Sequence, residues 1–246
     1  MPLHEHPLAH HLCSAVLAET QEAIAGAIRD LGLSRDSRPR LLDIGCWEGD
    51  ATTRYGTLLG GDMYGIEIFP EPARVAERKG IDVTMLDLEH TSFPWEANSF
   101  DVIVANQVFE HLKNIWRPLS EVHRVLKPGG YFIISVPNLA SLHNRALLAL
   151  GRQPTSIRTL GMHVRGYTLH ELVALVTLRG AFAARSVLGV GFYPLPARMA
   201  RPLARMWPGG SHTVVVVAQK TDDRSTSPWQ SYRQEEIDAG AQTFYS

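Results

Sequence analysis

The feature that most constrains the fold is an alternation of short apolar stretches and helix-like segments between residues 41 and 136. The apolar stretches predict strands, and in the segments between them apolar residues recur at helical spacing. Strands are predicted at 41–45, 63–68, 81–86, 100–106 and 131–136, and helices at 50–59, 71–79 and 115–126. Strands that alternate with helices imply a parallel sheet with right-handed crossovers.

The flanking segments have a different pattern. Further helices are predicted at 12–32, 139–150 and 168–179, and late strands at 182–192 and 213–219. Because the insertion 194–208 joins the two late strands, they can close the sheet edge as an antiparallel pair. After Lys220 the composition turns polar, which predicts a flexible tail.

Length and charge exclude several classes of protein. The 246 residues fit one large α/β domain with an elaboration. The net charge of −1 gives no global field that would attract nucleic acid. Cys13 and Cys46 form neither a zinc pattern nor a disulfide framework, which suits a reducing cytoplasm. Since no signal peptide or transmembrane run is evident, we expect a soluble, cytoplasmic protein that is at most peripheral to a membrane.

A strand that runs into a glycine-containing turn and then a helix marks the segment Leu41–Gly49 (LLDIGCWEG). Gly45 and Gly49 let the backbone approach a ligand where a side chain would collide. The N–H groups that begin the next helix can bind a carboxylate. The spacing G-x-x-x-G differs from the G-x-G-x-x-G fingerprint of dinucleotide sites, which disfavours a nicotinamide oxidoreductase.

Polar residues also stand where the later strands end. An acid roughly 20 positions beyond a glycine loop, here Glu67, can accept hydrogen bonds from both ribose hydroxyls. Asp87, after the third strand, can accept one from an adenine amino group. Taken singly, such residues are ordinary caps or turn residues. Because the ends of parallel strands converge, Asp43, Glu67, Asp87 and Asn106 together predict a single crevice.

Five segments in this order resemble motifs of the class I methyltransferases that use S-adenosylmethionine (SAM), specifically the broad small-molecule group. They are LLDIGCWEG, GIEI, LDLE, SFDVIVANQVFEHL and RVLKPGGYFIISVPN. The resemblance covers residues 40–137, and more weakly extends to 182. It implies a SAM cofactor and a Rossmann-like, doubly wound α/β fold. With the late strands, we expect a mostly parallel seven-stranded sheet with an antiparallel edge and a helical lid.

The resemblance also implies a division of the chain and a set of cofactor contacts. A helical segment, residues 1–38, would cover the site. The methyltransferase domain would span residues 39–220, with a lid at about 138–170 and an insertion at about 194–210. The tail would be residues 221–246. Glu67 would hold the ribose, with Ile68 against the adenine. Asp87 and the Leu88 main chain would hold the adenine edge. The methionine part would be contacted by Asp43, Gly45, Cys46, Gly49, Asn106 and Gln107.

Trp47 departs from the family pattern. It stands where the family usually has glycine or another small residue. Since only the backbone needs to approach the cofactor, we expect the indole to form a wall of the pocket.

His111 is the leading candidate for a catalytic base, because an unperturbed histidine pKa of about 6.5 suits proton removal near neutrality. The pair Glu110–His111 resembles one in the ubiquinone-pathway O-methyltransferases, where it belongs to a metal site with an acid three positions earlier. That position is Gln107, a poor ligand for a hard cation, so we expect no metal here. An alternative is that Glu110 and His111 only cap the next helix.

Other polar residues after the fifth strand fall in the region from which similar enzymes often build the acceptor lid. His143 and His163 are further catalytic candidates, with Tyr167 beside them. Arg158 and Arg165 could bind an anionic group of the acceptor. The N-terminal histidines His4, His6, His10 and His11 could bind a metal, although a frayed start is the simpler interpretation.

The insertion 194–208 interleaves arginines with Met, Leu and Trp. Such a segment could contact a membrane surface or a lipid-linked acceptor. The simpler interpretation, which we favour, is a short helix packed on the lid.

The leading functional hypothesis is an enzyme that methylates an O or N atom of a small molecule, a sugar or a lipid-linked glycan. A second hypothesis is a methyltransferase-like subunit that regulates a partner, with the tail aromatics, such as Trp229, docking on it. Charge balance and the tetrad ANQV after the fourth strand disfavour a nucleic-acid substrate. The acceptor stays open, as does the oligomeric state, with a homodimer among the options.

Overall fold

The computed structural model describes the backbone of residues 7–221 and 227–245, and side chains within 15–221 and 227–240. Its centre is a seven-stranded sheet in the order β3-β2-β1-β4-β5-β7-β6. The strands are β1 (Leu41–Ile44), β2 (Met63–Glu67), β3 (Asp82–Met85), β4 (Phe100–Asn106), β5 (Leu126–Pro137), β6 (Phe182–Val190) and β7 (Thr213–Lys220). The first five are parallel, and β7 runs antiparallel to both β5 and β6. The predicted mostly parallel sheet with an antiparallel edge is therefore confirmed.

Helices cover both faces of this sheet. They are α1 (Pro7–Asp30), α2 (Asp50–Leu59), α3 (Pro70–Arg78), α4 (Trp116–Val125), α5 (Leu142–Ala149), α6 (Leu169–Val176), α7 (Ala197–Met206) and α8 (Pro228–Tyr245). α1 and α2 bury Ile28 and Tyr55 against one face, where Val104 and Val215 point. α4 and α6 cover the other face. Since both of their faces are covered, the inner strands are mostly apolar.

Several boundaries differ from those predicted. β5 starts at Leu126 rather than at residue 131, because Leu126 pairs with Phe100 ahead of an irregularity in the register. α5 starts at Leu142 rather than 139, since Asn138 and Leu139 bond to the main chain of His212 and Tyr167 instead. The insertion contains the short helix that was predicted, α7. Its buried Ala200 and Ala204 pack with Phe192 and Leu195 at the end of β6, rather than on the lid as predicted.

The polar segment after residue 226 is helical rather than flexible. α8 places Trp229 in the core at 0% exposure. The indole N–H donates to the Leu175 carbonyl oxygen at 2.8 Å, and the ring packs near His123 and Phe182. One buried aromatic side chain thus anchors a segment whose average composition predicts disorder, and Trp229 is not free to dock on a partner.

Within the described ranges, no helix is long and apolar enough to cross a bilayer.

Candidate active site

The predicted crevice lies at the carboxyl ends of the parallel strands. In sheet order β1 lies between β2 and β4, whereas the chain visits β3 before β4, so the topological switch point is between β1 and β4. Asp43 pairs in register with Gly65 and Val104, and Glu67 pairs with Met85. The strand-end residues named from the sequence therefore meet at one edge of the sheet.

The loop between β1 and α2 depends on left-handed backbone at three residues. Gly45 has φ +73°, Trp47 +50° and Gly49 +80°. A Cβ on Gly49 would lie 2.4 Å from the Ile81 side chain, and one on Gly45 would lie 2.7 Å from the Val108 side chain. These glycines therefore permit close packing of the loop on its own protein, in addition to the predicted close approach of a ligand.

The buried side chains of Asp43 and Cys46 connect this loop to α2 and to the core. The Asp43 carboxylate accepts a hydrogen bond from the Thr52 hydroxyl of α2 at 2.6 Å, and it is 4% exposed. Burial raises its pKa to about 7, and the nearby Glu67 carboxylate acts in the same direction. The Cys46 side chain packs with Ala76 and Ile81, so only the main chain of Cys46 is available to a ligand.

Glu67 is a buried carboxylate at the carboxyl end of β2. One carboxylate oxygen accepts the N–H groups of Ile68 and Phe69 at 2.9 and 3.0 Å, and the other accepts the Trp47 N–H at 3.0 Å. The side chain is buried, with 5% exposure. A carboxylate has about four acceptor positions, so the three N–H groups fix its orientation and leave one position for a hydroxyl.

Exposed apolar side chains border Glu67. Trp47, Ile68 and Phe69 are 57%, 54% and 58% exposed, and the Trp47 and Phe69 rings meet edge to face. Exposed large apolar groups beside a buried carboxylate are typical of a site that a flat, partly polar ligand covers. This arrangement supports the prediction that Trp47 forms a wall of the pocket.

Asp87 lies past the end of β3 and is half-exposed. Its carboxylate accepts the Glu89 N–H at 2.8 Å and faces the His90 ring at 2.9 Å. These hydrogen bonds, that of His90 first, hold the pKa of Asp87 below its ordinary value. Leu88 packs on the core below it. The proposed adenine contacts thus belong to a short ordered turn.

Asn106 and Gln107 are connected by a residue that the sequence did not single out. The Ser135 hydroxyl of β5 donates to the Asn106 side-chain oxygen at 2.6 Å, and the Gln107 amide donates to the Ser135 hydroxyl at 3.3 Å. Gln107 also has a left-handed φ of +58°. Ser135 was missed because it stands inside an apolar strand, and only the register of β4 with β5 reveals its neighbours.

Two of the three catalytic candidates lie together. The His111 and His163 ring centroids are 4.8 Å apart, and both rings lie beside Glu110. Burial, and secondly His163, lowers the pKa of His111. Glu110 is 1% exposed, and burial raises its pKa to about 8. α4 starts at Trp116 with Ile115 as its cap, so the alternative that Glu110 and His111 cap this helix is wrong.

His143 belongs to a different cluster. Its ring stacks on His212 at 5.5 Å and contacts Tyr193 edge to face, while its nitrogens face the hydroxyls of Ser141 and Thr155. Desolvation lowers the pKa of His212 to about 4, with His143 contributing. The sequence therefore grouped three histidines that the fold separates into a pair and a single residue.

Arg165, predicted to bind an anionic group of the acceptor, and Tyr167, named beside the further catalytic candidates, both bond to the main chain that follows β4. The Arg165 side chain donates to the carbonyl oxygens of Leu112 and Lys113 at 3.1 and 2.6 Å. The Tyr167 hydroxyl donates to the Phe109 carbonyl oxygen at 3.3 Å and is buried. Arg158 is exposed and stays a candidate for binding an anionic group.

The N-terminal histidines His4, His6, His10 and His11 lie outside the described side chains. The prediction that residues 1–38 cover the site also depends partly on those residues. The described side chains of α1, such as Ile24 and Ile28, pack on the sheet.

Comparison with known proteins agrees with this geometry. A family model described as a methyltransferase domain matches residues 42–134. The demethylmenaquinone methyltransferase of Chlorobaculum tepidum is 22% identical over 60% of this chain and 70% of that enzyme. The mitochondrial ubiquinone biosynthesis O-methyltransferase of Rattus norvegicus is 30% identical over 63% of this chain, which spans only 47% of that protein.

A solved structure shows the same fold. A SAM-dependent methyltransferase of Thermotoga maritima, described as a possible histamine N-methyltransferase, superposes with a TM-score of 0.59 at 19% identity. The matched region covers 87% of this chain and 95% of the Thermotoga maritima chain. Since the motifs, the strand order and the relatives agree, the chain belongs to the class I SAM-dependent methyltransferases, is similar to the ubiquinone-pathway enzymes, and uses SAM as its cofactor.

Proposed function

We propose that the protein methylates an O or N atom of a lipophilic or lipid-linked small molecule, such as a quinone precursor or a lipid-linked sugar. The names of the relatives from menaquinone and ubiquinone biosynthesis support the first class. The observation that carries the proposal is the composition of the surface formed by the lid and α7, which combines exposed apolar side chains with exposed arginines.

The apolar part of this surface is unusually exposed. Leu150, Leu160, Met162 and Met206 are 76%, 100%, 80% and 83% exposed. Exposed apolar side chains that cluster within one region mark a site for another molecule more often than scattered ones do. The lid and α7 touch where the Arg145 guanidinium lies 5.4 Å from the centre of the Trp207 ring.

The charged part is basic. Residues 122–221 contain twelve Lys and Arg but a single acid, Glu171. In the part of the chain that the structure describes, four exposed arginines of this surface make no ion pair: Arg152, Arg158, Arg198 and Arg205. Arginines beside exposed apolar side chains favour the interface of an anionic membrane, or the phosphate of a lipid-linked acceptor.

The lid brings this surface to the crevice. Its main chain bonds to Glu110 just beyond β4, and His163 reaches His111. An acceptor held under the lid can therefore reach the residues that follow β4. Bound SAM would supply an electrophilic methyl group: a bond would form from the acceptor atom to the methyl carbon as the in-line C–S bond breaks, and S-adenosylhomocysteine would be the leaving group.

The chain's own residues position the reactants and remove a proton. Glu67 and the loop around Gly45 hold one reactant, and the lid holds the other, so that much of the acceleration comes from orientation. The proton of an acceptor hydroxyl or amine leaves toward the cluster of Glu110, His111 and His163. Because desolvation lowers the pKa of His111, its ring is neutral and able to accept a proton at pH 7.

A turnover assay tests the enzymatic part of the proposal. The full-length protein is incubated with SAM and with fractionated lipid and polar extracts, and S-adenosylhomocysteine and acceptor mass shifts are measured. We expect a gain of one methyl group in the lipid fraction. Turnover only with polar metabolites would contradict the lipophilic acceptor, and no turnover with any fraction would favour the regulatory-subunit hypothesis.

Vesicle sedimentation tests the surface independently of turnover. We expect binding to anionic but not zwitterionic vesicles, weakened by added salt. The double variant Arg198→Glu/Arg205→Glu should lose this binding. The matched double variant Arg74→Glu/Arg78→Glu, on α3 at the opposite end of the sheet, should keep it. Equal binding by both variants would contradict the proposed surface.

A further inference from the structure

We propose that Glu110, His111 and His163 bind one divalent transition-metal ion, and that the lid supplies the third ligand. From the sequence we expected no metal at the Glu110–His111 pair, because the third position was Gln107. The structure offers a different third ligand. One potential ligand atom from each of the three side chains lies within 4.8 Å of the others.

The first observation is the state of Glu110. Its side chain is 1% exposed, and within the described residues neither carboxylate oxygen has a hydrogen-bond partner. Buried polar groups are nearly always paired, and an unpaired buried carboxylate is strongly destabilising. A bound cation would supply the missing partner. The direction of the side chain, toward two histidine rings, shows where that cation would lie.

The second observation is the orientation of the two rings. His163 Nδ1 lies 2.8 Å from the Ser156 carbonyl oxygen, and His111 Nδ1 lies 3.3 Å from the Met162 carbonyl oxygen. A carbonyl oxygen only accepts, so in each ring Nδ1 carries the proton and Nε2 keeps its lone pair. Metal-binding histidines typically donate their second nitrogen to a carbonyl in this way.

The third observation is how the lid reaches the cluster. The N–H groups of Val164 and Arg165 donate to the Glu110 carbonyl oxygen at 2.8 and 3.1 Å. The lid residue before Val164 is the ligand His163, and the one before that, Met162, orients His111. The same short segment thus contributes a ligand and fixes a second one, so metal binding and lid placement are coupled.

The donor set selects the metal. Two imidazoles and one carboxylate suit zinc or ferrous iron, whereas magnesium and calcium prefer oxygen ligands. Such an ion would act as a Lewis acid near the acceptor oxygen. With the ion on Nε2, His111 would no longer accept the proton itself, and polarisation of the acceptor by the ion would take the place of that step. This role depends on the proposed function, whereas metal binding itself does not.

Zinc titration by calorimetry, with metal content measured on the same full-length samples, tests the site. All proteins carry His4, His6, His10 and His11 replaced by Gln, so that the N-terminus cannot contribute. In this background we expect one zinc ion per chain. Glu110→Gln and His163→Gln should each weaken binding by about tenfold or more. His170→Gln, an exposed histidine just beyond the lid, should not change it.

Two further measurements keep the result interpretable. SAM affinity shows that the His163→Gln variant is folded, since Glu67 and the glycine loop are unchanged. Hydrogen exchange of residues 156–167 should slow when zinc is added to the background protein, but not in His163→Gln. The proposal is overturned if the background protein binds no zinc, if it binds magnesium but not zinc, or if His163→Gln binds zinc as tightly as the background. Because no acceptor is present, each of these outcomes is distinct from a failure of the turnover assay.

Discussion

The loops after β1 to β4 and the surface of the lid and α7 belong to the same edge of the sheet, yet they carry opposite charge. Residues 1–121 contain nineteen acids and ten basic residues, whereas residues 122–221 contain one acid and twelve basic residues. The charges of these two stretches and of residues 222–246, which contain five acids and two basic residues, almost cancel, so the net charge of −1 conceals the difference. The acidic half suits the hydroxyls and amino groups of a nucleoside, and the basic half suits an anionic acceptor or membrane.

The two halves also hold their polar groups differently. In the cofactor half, the carboxylates of Asp43 and Glu67 are fixed by short hydrogen bonds to Thr52 and to main-chain N–H groups. Toward the proposed acceptor site, neither oxygen of the Glu110 carboxylate has a hydrogen-bond partner within the described residues. Four arginines of the surface of the lid and α7 make no ion pair there, whereas Arg201 pairs with Glu19. The proposed cofactor site is thus preorganised, whereas the proposed acceptor site is completed by what it binds.

The largest effect we expect concerns the indole that anchors α8, outside both of these stretches. Trp229→Ala should destabilise the protein by about 3–5 kcal/mol, because it removes a fully buried indole and leaves the Leu175 carbonyl oxygen unpaired. Denaturant unfolding measures this loss. Ile237→Ala, at an exposed position of the same helix, should cost far less. Similar losses for both variants would mean that α8 is not anchored through Trp229.

The next prediction concerns Asp43 in the cofactor half. Its pKa is about 7 when folded and about 4 when unfolded, so between these values the folded protein holds a proton that the unfolded chain has released. Stability should therefore fall as pH rises from 4 to 7, by up to roughly 4 kcal/mol from this group. Asp43→Asn should lose this slope in SAM-free unfolding experiments, and Asp82→Asn, at an exposed position, should keep it. An unchanged slope in Asp43→Asn would contradict a raised pKa.

His212 in the acceptor half should give the opposite slope. Desolvation lowers its pKa to about 4, so below the unfolded pKa of about 6.5 the unfolded chain takes up a proton first. Stability should fall as pH drops from 6.5 to 4, by up to roughly 3 kcal/mol from this group. His212→Gln should lose less stability on acidification than wild type, whereas His170→Gln, an exposed control, should behave as wild type. If His212→Gln loses as much stability as wild type between pH 6.5 and 4, the desolvated His212 ring is not the cause of the loss.

The sequence predicted the cofactor half more completely than the acceptor half. Asp43, Glu67, Asp87 and Asn106 were predictable because parallel strands bring their carboxyl ends to one edge, whatever the details of packing. Their hydrogen-bond partners Thr52 and Ser135 could not be predicted. The partner of a hydroxyl on a helix or strand is known only once the packing and the register of the strands are known.

The acceptor half depends on contacts over longer separations. His163 meets His111 only because the lid bonds back to the main chain of Glu110, and no local pattern encodes that pairing. His143 has the same residue type and lies in the same segment, but it stacks on His212 instead. Trp229 shows the same limit, since a polar average composition hid a single residue that anchors a helix.

The smallest effect we expect is on SAM affinity, and it compares two exposed tryptophans, one beside the proposed cofactor site and one beside α7. Trp47→Ala should weaken SAM binding by about tenfold or less, because it removes an exposed wall but keeps the main-chain contact to Glu67. Trp207→Ala, at a half-exposed position beside α7, should leave SAM affinity unchanged. Calorimetry measures the SAM affinity of both variants. A larger loss of affinity in Trp207→Ala than in Trp47→Ala would contradict a cofactor site beside Trp47.

The most direct test of the account is the SAM affinity of Glu67→Ala measured beside Glu48→Ala. Both variants remove an acid from the segment around the glycine loop, but Glu48 is exposed and its side chain makes no hydrogen bond within the described residues. We predict that Glu67→Ala binds SAM about 100-fold more weakly than wild type, that Glu67→Gln lies between them, and that Glu48→Ala binds as wild type. Unchanged SAM affinity in a folded Glu67→Ala variant would contradict a cofactor site at the carboxyl ends of β1 to β4.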